Sequence, residues 1–486
     1  MRFRIQPRDI AVPDQDPFQN DLLKRQEPAE VLTHIIKSID GPCVVAIDAG
    51  WGTGKTTFLK MWARHLRNQE FPVVEFNAWE TDFSGDPFIA LSTELTDGFP
   101  GPKDKTLEAR IKSTRKLAKE IAKRSLPGAI RIATAGILDL EPLIEKEVAQ
   151  ALSSSAKDRM SDYQKARKAI AEFRESLQEL SNTLESLNEH RPLVVMIDEL
   201  DRCRPSYAVE LLEAAKHLFA VSGVVFVLAL NRSELAHSVK TLYGGEFDAV
   251  SYLRRFFDVD FRLPAPDRMA FIDGAIEAAR ISDYFRRKSN STARDGGGEQ
   301  FVRECMKTFF GAPDLSLRRI SQAIHHLGLV FTSLASKRRP FAESAIIALI
   351  LRTIAPEMYS RFIRGEATDC EVVDCVFDRN PGLRKLRKEF DCVRFEVLAI
   401  FAYQEFSGDI EGTVESPLLQ RYRQLTGDEA SDDSAKRHAQ KVVQFYERLV
   451  QSADFRYAGP YDRFGFKHTV ERLELFSPDL IGEITR

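Results

Sequence analysis

The run Ala49-Gly50-Trp51-Gly52-Thr53-Gly54-Lys55-Thr56-Thr57 stands directly after an apolar, strand-like stretch (Cys43 to Gly50) and directly before a helix-like one (Phe58 to Leu66). Glycines at this spacing let backbone N–H groups close around phosphate oxygens, and the helix N-terminus adds its positive end. Lys55 is placed to reach β- and γ-phosphates, and the Thr56 hydroxyl to ligate Mg²⁺. The cradle is therefore assigned to Gly50, Trp51, Gly52, Thr53, Gly54, Lys55, Thr56 and Thr57, with a nucleoside triphosphate and Mg²⁺ as its ligands. One position departs from the GxxxxGKT pattern: Ala49 stands first, with glycine displaced to Gly50. These residues do not themselves choose ATP over GTP.

Such a loop needs an acidic partner on another strand. Val194-Val195-Met196-Ile197-Asp198-Glu199 supplies it: four apolar residues bury the strand, and Asp198 emerges at its end to hold Mg²⁺. Glu199, one residue on, is placed to polarise a water for attack on the γ-phosphate. The next apolar run, Val224 to Leu230, ends at Asn231, which reads either as a γ-phosphate sensor or as an ordinary helix cap. Arg254 and Arg255, before the last strand, and Arg318 and Arg319, in a later helix, are arginines able to neutralise a transferring phosphoryl group. The alternative for each pair is a solvated helix face.

The elements that must hold these residues follow from the pattern of apolar runs. Cys43 to Gly50, Val73 to Trp79, Pro192 to Leu200 and Val224 to Leu230 read as buried strands, and Phe256 to Leu263 alternates like an edge strand. Helical stretches separate them, so the expected fold is α/β, a parallel-sheet core spanning residues 18–265 after a polar lead at 1–17. An amphipathic helix before the first strand carries Val31, Leu32, Ile35, Ile36 and Ile39 on a face. A helical excursion interrupts the core at about 102–190, with a heptad stripe of Tyr163, Ala166, Ile170, Phe173, Leu177, Leu180, Leu184 and Leu187. With the weaker stripe Leu107, Ile111, Thr114, Ala118 and Ile121, it reads as a projecting antiparallel hairpin or as helices flat on their own domain. Something must cover the stripe, and its distal half, near Leu177 to Leu187, or its opposite end is expected to meet the C-terminal helices or another chain. After Asp267 strand signals vanish, giving a lid-like helical region at 266–335 and an all-helical C-terminal domain at 336–486. Arg287 to Gln300, glycine- and serine-rich, is expected to be a mobile loop.

Composition narrows the class. The 486 residues are 43% apolar and 29% charged with a net charge of −3, which excludes wholesale disorder and any global pull toward nucleic acid or anionic membrane. Six cysteines without zinc spacing, and an N-terminus without an apolar signal region, lead us to expect reduced thiols and a cytoplasmic protein. No transmembrane segment is expected, since the best candidate, Leu126 to Leu143, contains Arg131, Asp139 and Glu141; a helix on a membrane surface stays open. The basic run Arg384, Lys385, Arg387 and Lys388 suits a nucleic-acid backbone or a solvated helix face, and nothing else supports nucleic acid. Cys203 is expected to pack rather than react, and the nine histidines show no metal spacing.

Several segments together resemble one family. Ile197-Asp198-Glu199-Leu200-Asp201-Arg202-Cys203, with Pro205 beyond, resembles the extended Walker B of KAP-family P-loop NTPases. Gly50 to Trp62 has that family's tryptophan inside the loop; Glu75 to Glu80 with Asp86 to Leu91, Ser251 to Pro264, and the helix around Arg318 are similar to its other segments. The departures are Ala49, Glu199 in place of the usual Asp, and Asn231 where Asp is commoner. This chain has a polar excursion where many members carry membrane spans. The resemblance implies an ATPase with an extra strand between the P-loop and Walker B strands, coupling hydrolysis to conformational change, with an arginine such as Arg254 or Arg255 acting across subunits. It also implies a bacterial antiviral or mobile-element setting. The alternative is a nucleotide-operated switch with little turnover that signals to a protein partner, or self-associates, through the helical insertion or C-terminal helices.

Overall fold

A computed structural model describes residues 11–98, 104–123, 156–187, 191–218, 220–289, 296–311, 315–333, 342–378, 392–407, 415–428, 432–451 and 466–475. The chain divides into two units, residues 8–266 and 267–486.

In the first unit five strands form one sheet: β1 (Cys43–Asp48), β2 (Val73–Asn77), β3 (Leu193–Asp198), β4 (Val224–Leu230) and β5 (Val259–Arg262). Their spatial order is β2-β3-β4-β1-β5, and every pairing is parallel. The expected extra strand is β4, which lies between β1 and β3. The four-residue, alternating β5 closes one edge. β1, β3 and β4 are continuous apolar runs because both faces of the sheet are covered. Val45, Ile47, Val194, Met196, Val225 and Val227 pack with α1 (Gln26–Lys37) and α2 (Lys55–Asn68) on one face. Val44, Ala46, Val195, Ile197, Phe226 and Leu228 pack on the other.

That second face is where the excursion goes. α3 (Ala78–Thr81) and α4 (Pro87–Asp97) follow β2; α5 (Lys105–Lys123) and α6 (Ala156–Leu187) then run antiparallel, with the Thr114 and Ser176 hydroxyls 2.9 Å apart. Phe173, Leu177, Leu180 and Leu184 are buried in the same core as the sheet, and Phe173 meets Phe88 of α4 edge-on at 5.2 Å. Leu177, Leu180 and Leu184 are therefore covered by their own domain, because the short-looking α5 stripe is completed by α4 and by the sheet, and no C-terminal helix or other chain is needed over them. Leu187, at the end of the stripe, stays 49% exposed. The side chains of Tyr163 and Ala166 lie outside the described residues, as do the candidate span Leu126 to Leu143 and the basic run at 384–388. α6 is docked where Gln178 and Ser181 donate to the Ser222 carbonyl at 3.0 and 2.9 Å. Next to it Gly223, at φ 75°, leaves no room for a Cβ against Ser181 and Glu185.

The first unit continues through α7 (Pro205–Glu213), α8 (Arg232–Tyr243) and α9 (Ala249–Arg254). The second unit is entirely helical among its described residues. Phe309, Phe377 and Phe395 meet at centroid distances of 5.0 to 5.7 Å within it. The expected mobile loop at 287–300 is shorter than read: helices Ile281–Ser289 and Gly296–Phe310 take both its ends. Among the described residues no helix is long and apolar enough to cross a membrane. None of the six cysteines forms a disulfide.

Candidate functional site

In a parallel sheet, side chains able to meet a ligand gather where the strands end and the chain turns into helices. β1, β3 and β4 end side by side at Asp48, Asp198 and Leu230, so the loops carrying Lys55, Glu199 and Asn231 emerge at one edge. Ala49 completes the ladder, its N–H bonding the Leu230 carbonyl at 3.1 Å. Neither Ala49 nor Gly50 has a positive φ, so moving the first glycine by one residue imposes no backbone strain. The left-handed positions are Gly52 (φ 71°) and Gly54 (φ 88°), the residue before α2. A Cβ on Gly54 would sit 2.7 Å from the Leu23 side chain.

Two interactions fix this loop from below. The Thr53 hydroxyl donates to the Gly50 carbonyl at 2.8 Å. Arg25, only 1% exposed, donates to the Thr53 carbonyl at 3.2 Å and to the Pro264 carbonyl beyond β5. The lone Arg25 has no signal in the sequence, and its role appears only once the loop and β5 are folded together.

Lys55 is buried, and its ammonium donates to the Ala49 carbonyl at 2.7 Å while lying 3.7 Å from Asp201. Burial pushes its pKa below the ordinary lysine value, against the pull of Asp201, Asp198 and Asp48. The Asp198 carboxylate accepts from the Glu199 N–H at 2.8 Å, and the Thr56 hydroxyl is near enough to hold its pKa down. Burial raises the Asp198 pKa, and these donors together with Lys55 oppose it. Asp201, Asp198 and Asp48 act on Lys55 from one side and Arg202 from the other, and the carboxylate and hydroxyl oxygens here are the donor type that Mg²⁺ takes.

Glu199 has φ 61°, a left-handed conformation that is rare for a side-chain-bearing residue. One carboxylate oxygen pairs with Arg202 at 2.7 Å, and the other accepts from Asn77 of β2 at 3.5 Å. Arg202 in turn lies over the Trp79 ring, 5.5 Å from its centroid. Cys203 is buried, its thiol pushed up to about 12 by that burial, and its S–H is directed at the Glu199 carbonyl. The packing role expected for it holds.

Asn231 sits at the end of β4, flanked by β1 and β3, and begins α8 without a side-chain cap. Its side-chain oxygen accepts from Ser233 at 2.7 Å, and its N–H is held by Asp201 at 3.2 Å. Asn231 thus takes the cap position without a side-chain bond to a helix N–H, and stands at the edge where β1 and β3 also end. Arg254 and Arg255 do not join this site. They are exposed and precede β5 by a turn in which Asp258 bonds Val44, near the start of β1, so they lie at the opposite end of the sheet. Arg318 and Arg319 are exposed on the helix Leu317–Ser333 of the second unit.

A family model described as the KAP family P-loop domain matches residues 25–325. The chain belongs to the KAP family. This span takes in the loop at 49–57, the acidic strand end at 198–199 and the Arg318 helix, as the resemblance implied. The phage T7 exclusion protein of Escherichia coli (strain K12) is 22% identical over 329 residues, which cover 65% of this chain and 42% of that relative's length. A KAP P-loop domain is a nucleotide-binding one, and the site geometry suits that class. Sequence reasoning missed Arg25, Asn77, Asp201 and Arg202. The last two were visible only as motif letters: Asp201 takes its partners from loops far away in the sequence, and Arg202 joins the nearby Glu199 to the distant Trp79. Among the described residues no cluster of three His, Cys, Asp or Glu side chains forms a metal centre, and burial lowers the His326 pKa to about 4.

Proposed function

We propose that this KAP domain binds Mg–ATP and hydrolyses it, using the energy to change conformation. The observation that carries the reading is the Lys55 ammonium lying 3.7 Å from Asp201, in the turn after β3. This contact joins the P-loop to the acidic strand at the edge where Glu199 also emerges. Thr56 and Asp198 would hold Mg²⁺, which supplies charge neutralisation at the phosphates. The backbone N–H groups from Gly50 to Thr57 and the start of α2 would bind the phosphate oxygens, and Lys55 would turn from the Ala49 carbonyl toward them. Glu199 would accept a proton from the attacking water, and Asn231 would orient it.

One observation favours a second reading, a switch with slow turnover. The Glu199 carboxylate is held by Arg202 and Asn77, so the base is engaged and must be released before it can act. Multiple-turnover phosphate release, with ATP and GTP in parallel, separates the two readings. Sustained release supports the hydrolase; tight binding with at most one turnover supports the switch. The relative named for phage T7 exclusion leads us to place the protein in a bacterial phage-exclusion setting. Phage plating on cells with and without the parental gene tests that setting, and a Lys55→Ala gene should behave as no gene. In such a system Arg254 and Arg255, at the far end of the sheet, would serve a neighbouring copy rather than their own site.

A further inference from the structure

The Asp201 carboxylate, whose side chain is only 2% exposed, gathers three groups from two other strand-end loops. The Trp51 indole N–H donates to it at 2.6 Å, the Asn231 N–H donates to it at 3.2 Å, and the Lys55 ammonium lies 3.7 Å away. Trp51 and Lys55 belong to the phosphate cradle, Asn231 ends the strand between β1 and β3, and Asp201 sits in the short turn after β3. A buried carboxylate so placed ties the rim of the cradle to the acidic strand. The Trp51 ring is otherwise 53% exposed, so its indole bond to Asp201 is what restrains it on a glycine-rich loop.

We propose that Asp201 is a positioning residue that, through the Trp51 indole, holds the phosphate cradle in its nucleotide-ready shape. This rests on the nucleotide-binding reading and adds to it. Without nucleotide, Asp201 serves both Trp51 and Lys55. When phosphate takes the Lys55 ammonium, the carboxylate keeps the indole and the Asn231 N–H, so the loop stays closed while the lysine moves. Losing either partner leaves the rim of the loop free to open. A hydrogen bond to a charged group is strong enough for that loss to weaken nucleotide affinity about tenfold.

The test is a double-mutant cycle on the full chain with Trp51→Phe, which keeps the ring and removes the donor, and Asp201→Asn, which keeps an acceptor and removes the charge. ATP affinity is measured by calorimetry and melting temperature is followed alongside. Each single substitution should weaken ATP binding about tenfold, and the double should be no weaker than the worse single. In a Trp79→Phe background Trp51 is the one exposed tryptophan, Trp62 being buried, and ATP should change its emission in the parent but not in Asp201→Asn. Single variants that bind ATP like the parent, or effects that simply multiply, overturn the proposal; so does a lowered melting temperature with affinity unchanged. If Asp201→Asn does not fold, the affinity of Trp51→Phe decides alone. Lys55→Ala is the separate control: if it binds ATP as the parent does, the nucleotide-site reading fails, whatever the cycle shows.

Discussion

At the scale of single residues, the site places like charges closer together than folding alone would favour. Asp198 has a raised pKa because burial disfavours its ionised form. A carboxyl whose folded-state pKa lies above its unfolded value of 3.8 adds stability at low pH and loses it as pH rises through the folded-state value. Without nucleotide, Asp198→Asn should therefore melt higher than the parent at neutral pH, by roughly 1–3 °C, and the difference should shrink on acidification. Thermal melts of both proteins across that pH range check this, and the same variant should lose Mg²⁺-dependent nucleotide affinity. Gly54→Ala tests the other source of strain. At φ 88°, with Leu23 against the new methyl, it should cost about 1–2 kcal/mol in urea unfolding and distort the cradle. The placing of Lys55, Thr56, Asp198 and Glu199 at one end of the strands was legible because glycine spacing and strand-end acids are local patterns. The partners of Glu199 were less so: Arg202 meets it within one turn three residues on, whereas Asn77 reaches it from β2 only once the strand ends are folded side by side.

At the scale of elements, the strands were readable because burial on both faces leaves uninterrupted apolar runs, while the helices of the excursion were readable as helices but not as to what they touch. A heptad stripe specifies a seam, and it does not say whether a sheet, a helix or another chain fills it. Here α4, α5 and the sheet fill it, so Leu177 is fully buried. Leu177→Glu should then cost about 4 kcal/mol or more, because it places a charge in an apolar core. Loss of cooperative unfolding at ambient temperature would agree; unchanged stability would mean that this helix is not seated on the sheet. Arg25 is the converse case, a polar link inside an apolar layer, spanning the Thr53 and Pro264 carbonyls. Arg25→Ala leaves both acceptors without their charged donor and should cost about 2–4 kcal/mol, with nucleotide affinity falling in parallel. Denaturant midpoints with and without ATP measure both effects.

At the scale of the molecule, each of the two units has an apolar interior of its own, and Pro264 and Pro266 lie where one gives way to the other. Calorimetry should resolve two transitions, and saturating Mg–ATP should raise the one belonging to residues 8–266, by about 2.7 kcal/mol at a hundredfold excess over Kd. A single transition, or a transition of the first unit that Mg–ATP leaves unmoved, would contradict this. The family was readable because its motifs are dense between the P-loop and the turn after β3. The helices beyond carry no comparable chemistry, only packing, and packing patterns do not name a partner. The central claim, that Glu199 activates water at a Mg–ATP site, meets its most direct test in steady-state phosphate release by the parent and by Glu199→Gln. The account predicts sustained release by the parent and, for the variant, unchanged ATP affinity with turnover lowered about 10²- to 10⁴-fold. Hydrolysis by Glu199→Gln at the parental rate would contradict it.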